Sequence, residues 1–559
     1  KRALAAPALL LATVLLATPA QAGFVIVNLD APGVGFNDPT PAAPVGGNTG
    51  TTVGQQRLNV FVQAGQIWDA ILQSPITIRV QAQFDSLPCT ATGAVLGGAG
   101  ANVLDSDFAN AGFAATWYTG AEANRLAGTD LDPGANDIDA IFNSHIGRTN
   151  CLTGRPWYYG FDGNEGPSAV DFLPVLLHEI GHGLGFYTTT DESNGQYFAG
   201  LPSVFDRYLL DSVSGKHWYQ MTPAERQASA LNSEQLVWDG PAVNAARTQF
   251  LGPGAHVVTS GALTADYPSG QGVFFPPLTN AGTTGQVVLV NDGVGTASDG
   301  CNTPFVNAAS VSGRIALVDR SATCAMPVQA LNAQANGAIG VIIINSVAGP
   351  EPPIRGASPT VLIPVASVSH ANGNALRAAL LSGTVTATLA LEPSRIAGVQ
   401  PPGRVRMYAP NPVQPGSSVS HFDVSAFPNL LMEPAINPDL GDGVDLTFHA
   451  FYDIGWFPQL VGVPGAEPHE LAFSHAPNPA RDGGVLRFRL PAPEHVELEL
   501  FDVSGRRVAV LANGILEGGE HRIRWDGRDA AGQRVGAGVY QARLRAGHEA
   551  RTVSVVRLD

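Results

Sequence analysis

The side chains with the plainest chemical content are His178, Glu179 and His182, spaced H-E-x-x-H within Asp171–Phe186, DFLPVLLHEIGHGLGF. On a helix, residues four apart lie about 40° apart around the axis and one turn apart along it. His178 and His182 then turn their imidazoles toward one point, where they can share a Zn²⁺. Glu179 projects beside them, where a carboxylate can take a proton from a water held at that metal. A catalytic zinc takes three protein ligands, so the motif by itself is an incomplete site.

A helix is what must position these residues, and the sequence supplies its parts. Asp171 is suited to the N-cap, and Pro174 falls at the third helical position, where its missing N–H costs nothing. Phe172, Leu173, Val175, Leu176, Leu177, Ile180 and Leu184 give an almost all-round apolar surface, which predicts a buried helix. Gly183 and Gly185 end it, with Gly185 suited to a left-handed turn. The bland alternative is a pair of core histidines, but an intact H-E-x-x-H in this setting favours metal. Upstream, Leu58–Leu72 has helical spacing and Ile76–Phe84 alternates apolar and polar residues as a half-buried strand. Asp137–Phe142 and Trp157–Phe161 are further expected strands leading into the metal helix.

The chain has 559 residues, too many for one core. Its 64 glycines and 42 prolines favour strands and long loops over helical bundles, and only 14% of residues are charged. The net charge of −16 argues against a nucleic-acid partner, which needs a clustered positive surface. Residues 1–22 read as a secretory signal peptide: Lys1 and Arg2, an apolar Ala3–Ala17, then Ala20-Gln21-Ala22 as a cleavage site. A secreted chain beginning near Gly23 is expected, with no transmembrane segment. Cys89, Cys151, Cys301 and Cys324 lack C-x-x-C spacing, so a structural zinc is not expected. Four cysteines allow three pairings; the simplest in an oxidising compartment is Cys89–Cys151 and Cys301–Cys324, each within one domain.

From residue 253 to 395 the chain changes character to apolar strands and small residues. Gly313–Arg320 reads as a strand, Pro327–Asn336 as a helix and Val341–Asn345 as a buried strand, a β-α-β unit. Cys301, GRIALVDR, Cys324, LNAQANGAIGVIIIN and LIPVASVS together resemble the protease-associated domain, with Ser321 where that family usually has glycine. The resemblance implies a non-catalytic module for substrate access or protein contact. At the other end, residues 470–559 carry short alternating strands, LRFRL, VELELFD, HRIRWDG, GVYQARLRA and RTVSVVRLD. They predict a small antiparallel sandwich. Asn478-Pro479, Asp502-Val503-Ser504-Gly505-Arg506, Trp525-Asp526-Gly527 and Gly538-Val539-Tyr540 resemble the Ig-like fold of flagellar hook-capping proteins and the sorting domains of type IX secretion. That implies secretion machinery or cell-surface attachment as partners, with a spacer or substrate-binding module as the alternative.

Of thirteen histidines the motif uses two, and eleven remain. His217 in GKHWYQM and His421 in GSSVSHFDVSAFPNLLMEP are the downstream candidates for a third ligand; Asp191, Glu192 or Asp206 would make a thermolysin-like site instead. Metzincins extend the motif to H-E-x-x-H-x-x-G-x-x-H, and here Gly185 fits but Thr188 holds the last position. They also place a methionine turn beneath the metal, after the third ligand. Met221 follows His217 by four residues, too close to fold back, whereas Met432 follows His421 by eleven. The His421 segment resembles the S-H-W…L-M-x-P stretch of the leishmanolysin-like metallopeptidases, with Phe422 in place of tryptophan. The resemblance implies His421 as third zinc ligand and Met432 as the Met-turn residue, across an inserted domain. Residues 443–456 resemble the closing helix of such domains, ending in Asp-Ile-Gly-Trp, and Asp439, Asp442 and Asp445 before and within it offer oxygen ligands for Ca²⁺ or a solvated loop.

The expected architecture is therefore an α+β zincin (metzincin) catalytic domain interrupted by an α/β protease-associated domain and followed by a small antiparallel β-sandwich. Its boundaries are 1–22 signal peptide, 23–252 and 396–462 catalytic, 253–395 insertion, 463–469 linker and 470–559 Ig-like. The expected activity is zinc-dependent endopeptidase hydrolysis of protein or peptide, with His178, His182 and His421 on Zn²⁺ and Glu179 as general base. The rivals are an acidic third ligand, or a surface adhesion protein with a degenerate zinc fold; the intact Glu179 argues against the second.

Overall fold

A computed structural model describes residues 23–557 apart from 73, 167, 273–276, 355–357, 359, 402, 437–439, 441–442, 458–472, 477–479, 481–483, 491–493, 503–505, 517–518, 530–531 and 547–548. The expected signal peptide, the 463–469 linker, Asp439 and Asp442 lie outside the described residues. Two units separate at Pro458 and Gln459.

The first unit begins with a four-stranded sheet. β1 (Phe24–Asn28), β2 (Ile78–Asp85), β3 (Gly97–Ala101) and β4 (Ile138–Asn143) lie in the order β1-β2-β4-β3. β1, β2 and β4 run parallel, and β3 pairs antiparallel with β4 as an edge strand. Helices α1 (Val53–Leu72), α2 (Gly120–Ala127) and α3 (Phe172–Gly183) accompany it. The alternation in β2 does what a period of two must: Ile78, Val80, Ala82 and Phe84 are buried, while Arg79 and Asp85 are exposed. α1 starts five residues before the expected Leu58. Trp157–Phe161 shrinks to Trp157–Tyr158, which pairs with Val170–Asp171.

The core centres on Phe172, the first residue of α3. Its ring meets Phe142 at 5.0 Å, Trp157 at 4.9 Å, Phe84 at 5.6 Å and Tyr159 at 5.6 Å between centroids. Such edge-on and tilted aromatic pairs add to area burial. The helix presses against β4 so closely that a Cβ on Gly183 would lie 2.4 Å from Ile138 Cγ2.

Residues Pro253–Ile396 form a seven-stranded sheet of their own. Thr283–Leu289, Ile315–Asp319, Gly340–Ile344 and Val365–Val368 run parallel. Ile315, Leu317, Ile342 and Ile344 face Leu376 and Ala379 of helix His370–Ser382, while Ala316, Val318, Val341 and Ile343 face Met326, Ala330 and Ala333 of helix Met326–Ala335. Burial on both faces explains the unbroken apolar run VIII. Pro253–Gly261 and Val385–Ile396 pair antiparallel from Gly261↔Val385 to Pro253↔Ile396, so the segment leaves the sheet beside where it entered. After it the chain rejoins a small sheet through Arg404–Arg406, which pairs with Leu236–Trp238. The disulfides are Cys89–Cys151 and Cys301–Cys324.

The second unit is a sandwich of a three-stranded and a four-stranded antiparallel sheet. It has two strands beyond those expected, Phe473–Ala476 and Arg507–Leu516. Asn513-Gly514 has turn composition, yet the strand runs straight through it, with irregular register against Glu494–Asp502. Glu499 is buried there and receives Arg507 at 2.8 Å and Arg543 at 2.7 Å.

Candidate metal centre

α3 forms where its cap residue permits. Asp171 Oδ1 accepts the Leu173 N–H at 3.1 Å, and all 12 helical residues are buried. Gly185 follows with φ of +123°, which turns the chain sharply back. The end of the helix is held from two directions. Trp456 Nε1 donates to the Leu184 carbonyl at 2.9 Å and Thr119 Oγ1 at 3.2 Å. Trp456 belongs to the Asp-Ile-Gly-Trp segment that closes helix Thr447–Ile454. Asp453 of the same segment accepts from Trp238 Nε1 at 2.9 Å, Ala242 N at 2.8 Å and Val243 N at 3.1 Å.

Three imidazoles meet above this helix. The Nε2 atoms of His178 and His182 lie 3.1 Å apart, those of His182 and His421 3.2 Å, and those of His421 and His178 3.2 Å. Each ring turns its other nitrogen to a main-chain carbonyl: His178 Nδ1 to Leu431 O at 2.7 Å, His182 Nδ1 to Phe186 O at 2.8 Å, His421 Nδ1 to Ser417 O at 2.7 Å. A carbonyl can only accept, so each Nδ1 carries the proton and each Nε2 presents a lone pair. Three lone pairs converge with no donor between them, an arrangement that a cation satisfies. Nitrogens about 2.05 Å from one tetrahedral ion stand about 3.3 Å apart, close to the triangle seen here. Among the described residues this is the one group of three or more His, Cys, Asp or Glu side chains placed to share an ion.

The electrostatics agree with the donor set. Burial lowers His178 to about 4 and His182 to about 3, with His178 adding to the effect on its neighbour. Burial, then His182 and His178, push His421 well below its usual range. All three imidazoles are thus neutral. Burial pushes the Glu179 carboxyl up to about 8, against a hydrogen bond from the Ala99 N–H of β3. Ala99 is on the free edge: Asn143 N bonds Leu96 O and Asn102 N bonds Asp137 O, so alternation points the main-chain groups of Gly97, Ala99 and Ala101 away from β4.

Met432 lies under the helix between the two motif histidines. It is fully buried, and a Cβ on Gly181 would lie 2.8 Å from its Sδ. Its carbonyl accepts the Phe422 N–H at 2.8 Å, which ties the turn to the residue after His421. Asp445, weighed above for calcium, is half-buried and accepts from Leu431 N and from Thr447 N and Oγ1, so it anchors this turn.

The other candidates lie elsewhere. His217 Nε2 pairs with Asp239 Oδ2 at 2.9 Å. Asp206 is buried among Thr188 Oγ1, Thr190 Oγ1 and Ser203 N. Asp191 binds Ser193 and Asn194 of its own loop. Thr188 still contributes, because its N–H donates to Ser420 Oγ at 3.1 Å and pins the loop after α3 beside His421. The carbonyls of Leu431, Phe186 and Ser417 and the Ala99 N–H have no sequence signal. Only the small-residue run GGAGA hints at a main chain left open to contact.

Comparison with known proteins supports the peripheral modules. Residues 283–376 match the PA domain family and residues 478–549 the FlgD Ig-like domain family. The protein is thus a multidomain α/β chain with a PA domain and a β-rich, Ig-like C-terminal domain. No curated protein matches it. Solved structures with local likeness include BSAP, a zinc aminopeptidase from Bacillus subtilis, at 23% identity over 27% of this chain and 36% of that one, TM-score 0.19. An aminopeptidase from Aneurinibacillus sp. strain AM-1 is alike at 23% identity over 27% and 38%, TM-score 0.19. FlgD from P. aeruginosa is alike at 22% identity over 12% and 55%, TM-score 0.11. The chain spans little more than a third of either aminopeptidase, and at these scores the likeness carries no argument about activity.

Proposed function

We propose that the chain is a zinc endopeptidase of metzincin type, with His178, His182 and His421 as ligands. The observation that carries this reading is the triangle of Nε2 lone pairs, each ring locked by a carbonyl at Nδ1. A Zn²⁺ held there supplies a Lewis acid that lowers the pKa of water and polarises a carbonyl oxygen. Ionised by the positive charge of a bound Zn²⁺, Glu179 would take the proton of the attacking water as its oxygen bonds to the scissile carbon. It then delivers that proton to the departing amine as the C–N bond breaks. The edge of β3 offers outward main-chain groups, apart from the Ala99 N–H that bonds Glu179, to an extended peptide whose carbonyl would lie beside Glu179.

The remote third ligand, the Met432 turn and the Asp-Ile-Gly-Trp helix favour the leishmanolysin-like form. Two disulfides favour an oxidising, extracellular setting, and the FlgD-like module favours attachment at a surface. The test is hydrolysis of a generic protein substrate by the parent chain and by Glu179→Ala. The expected result is loss of hydrolysis with zinc content kept. Retained hydrolysis in Glu179→Ala, or a parent chain that binds zinc and cleaves nothing, overturns the reading.

A further inference from the structure

Val419 stands two residues before His421 with φ of +69°, a conformation that strains a β-branched residue. Its neighbours close a tight turn around it, Ser420 N donating to Ser418 O at 2.8 Å. A three-residue turn of that hand is rare and strained, so the segment does not keep this shape by its own propensity. Contacts from elsewhere in the fold must hold it. Some act on the main chain: Val419 N donates to Tyr408 O at 2.7 Å, and Tyr408 N to His421 O at 2.9 Å. Val419 itself is fully buried.

Another hold comes from the loop after α3 and acts on the residue next to the ring. Ser420 Oγ accepts the Thr188 N–H at 3.1 Å. The Thr188 hydroxyl donates to Asp206 Oδ1 and accepts Thr190 N at 2.9 Å. Asp206 Oδ2 accepts Thr190 Oγ1 at 2.9 Å and Ser203 N at 2.8 Å, which locks the carboxylate within its own loop. Thr188, Thr190, Ser203, Asp206 and Ser420 are all buried. In such surroundings each hydrogen bond is stronger than in water and a lost partner is costly. A continuous path therefore runs from the Asp206 carboxylate through the Thr188 hydroxyl and N–H to the Ser420 hydroxyl, one residue from His421.

We propose that Asp206 and Thr188 are positioning residues for the third imidazole, clamping the strained turn before His421 so that its Nε2 stays in the triangle. This role rests on the triangle being a metal site, and Co²⁺, whose visible absorption reports tetrahedral coordination, is the probe. The full chain, stripped of metal, is titrated with Co²⁺ against a competing chelator. Thr188→Val keeps the N–H but loses the hydroxyl bond to Asp206, and Ser420→Ala removes the acceptor. Each should lower Co²⁺ affinity about 10–100-fold and weaken the tetrahedral band. The double variant should fall no more than about 3-fold below the weaker single one, because both cut one clamp, whereas independent effects multiply. Thr188→Ser should bind as the parent does. In the parent, Co²⁺ should slow hydrogen exchange at the Thr188 amide, since a clamp that favours the metal is favoured by it in turn. A parent that binds no Co²⁺, or whose affinity survives His421→Ala, overturns the metal-site reading and this role with it. Where His421→Ala does lose the metal, four results overturn the clamp alone. They are parent-like affinity in either folded single variant, losses that multiply, Thr188→Ser as weak as Thr188→Val, and Thr188 exchange indifferent to Co²⁺.

Discussion

His178 Nδ1 and the Leu431 carbonyl are 2.7 Å apart although 253 residues separate them in the chain. The bond sets the tautomer and direction of the first imidazole, and the next residue, Met432, fills the space under Gly181. One turn therefore aims an imidazole of the triangle and packs the helix that carries it. Asp445, through Leu431 N, holds that turn in place.

Gly181→Ala tests this packing. A Cβ 2.8 Å from the Met432 sulfur must displace a fully buried side chain. The expected cost is about 1–3 kcal/mol of stability, together with weaker zinc retention, read by thermal melting and by chelator competition. Truncating Met432 to alanine in the same chain should restore part of the zinc affinity by giving the new methyl room. An unchanged melt and unchanged zinc binding in Gly181→Ala would show that the contact is slack.

His421→Ala should lower zinc affinity by more than the roughly 10–100-fold that loss of an outer hydrogen-bond partner costs. His217→Ala should leave it unaltered, because that ring is committed to Asp239. The two variants, compared in a zinc competition assay with a chromophoric chelator, distinguish the candidates. Full zinc affinity in His421→Ala would remove the third ligand from the assignment.

Glu122 predicts a dependence of stability on pH. Its carboxyl is wholly buried, neither oxygen has a hydrogen-bond partner among the described residues, and burial raises its pKa well above the usual value. Above its unfolded pKa of about 4.3 the unfolded chain releases the proton while the folded chain keeps it. The folded state then binds more protons, so Glu122 makes stability fall as pH rises from there toward its folded pKa. Glu122→Gln should flatten that slope in urea unfolding measured across the acid-to-neutral range. The same slope in both chains would mean that Glu122 does not titrate as its surroundings require.

Asp453→Ala removes the acceptor for Trp238 Nε1, Ala242 N and Val243 N together. Leaving buried donors unpaired costs about 1–3 kcal/mol each before relaxation. A loss of at least about 3 kcal/mol is expected in denaturant unfolding, since Asp453 of the closing helix holds the start of helix Pro241–Phe250. Asp453→Asn should lose less, because it keeps one acceptor oxygen. Near-wild-type stability in Asp453→Ala would show that water replaces the carboxylate.

Local features were legible where one segment settles its own conformation. The Asp171 cap, the all-round apolar face of α3 and the left-handed Gly185 follow from residues within a turn of one another. The alternation of β2 and the doubly buried strand Gly340–Ile344 were legible for the same reason. Misreadings arose where context overrides composition. Arg507–Leu516 lies outside the strands expected from the sequence, yet cross-strand pairing on Glu494–Asp502 holds it extended. Trp157–Phe161 is strand-like in composition but finds a partner for only two residues.

The sequence by itself determined that two histidines and a glutamate share one buried helix, because H-E-x-x-H spacing and helical geometry leave no other outcome. It also singled out His421 and Met432 as the remote pair worth testing, through resemblance rather than through any local rule. Only the tertiary structure decided that His421 Nε2 stands 3.2 Å from both motif imidazoles, across an intervening sheet. Only there do the Leu431, Phe186 and Ser417 carbonyls turn the three lone pairs inward. The reason is physical: a main-chain carbonyl is the same group at every residue, so its role is set by where the fold places it and never by the side chain it accompanies.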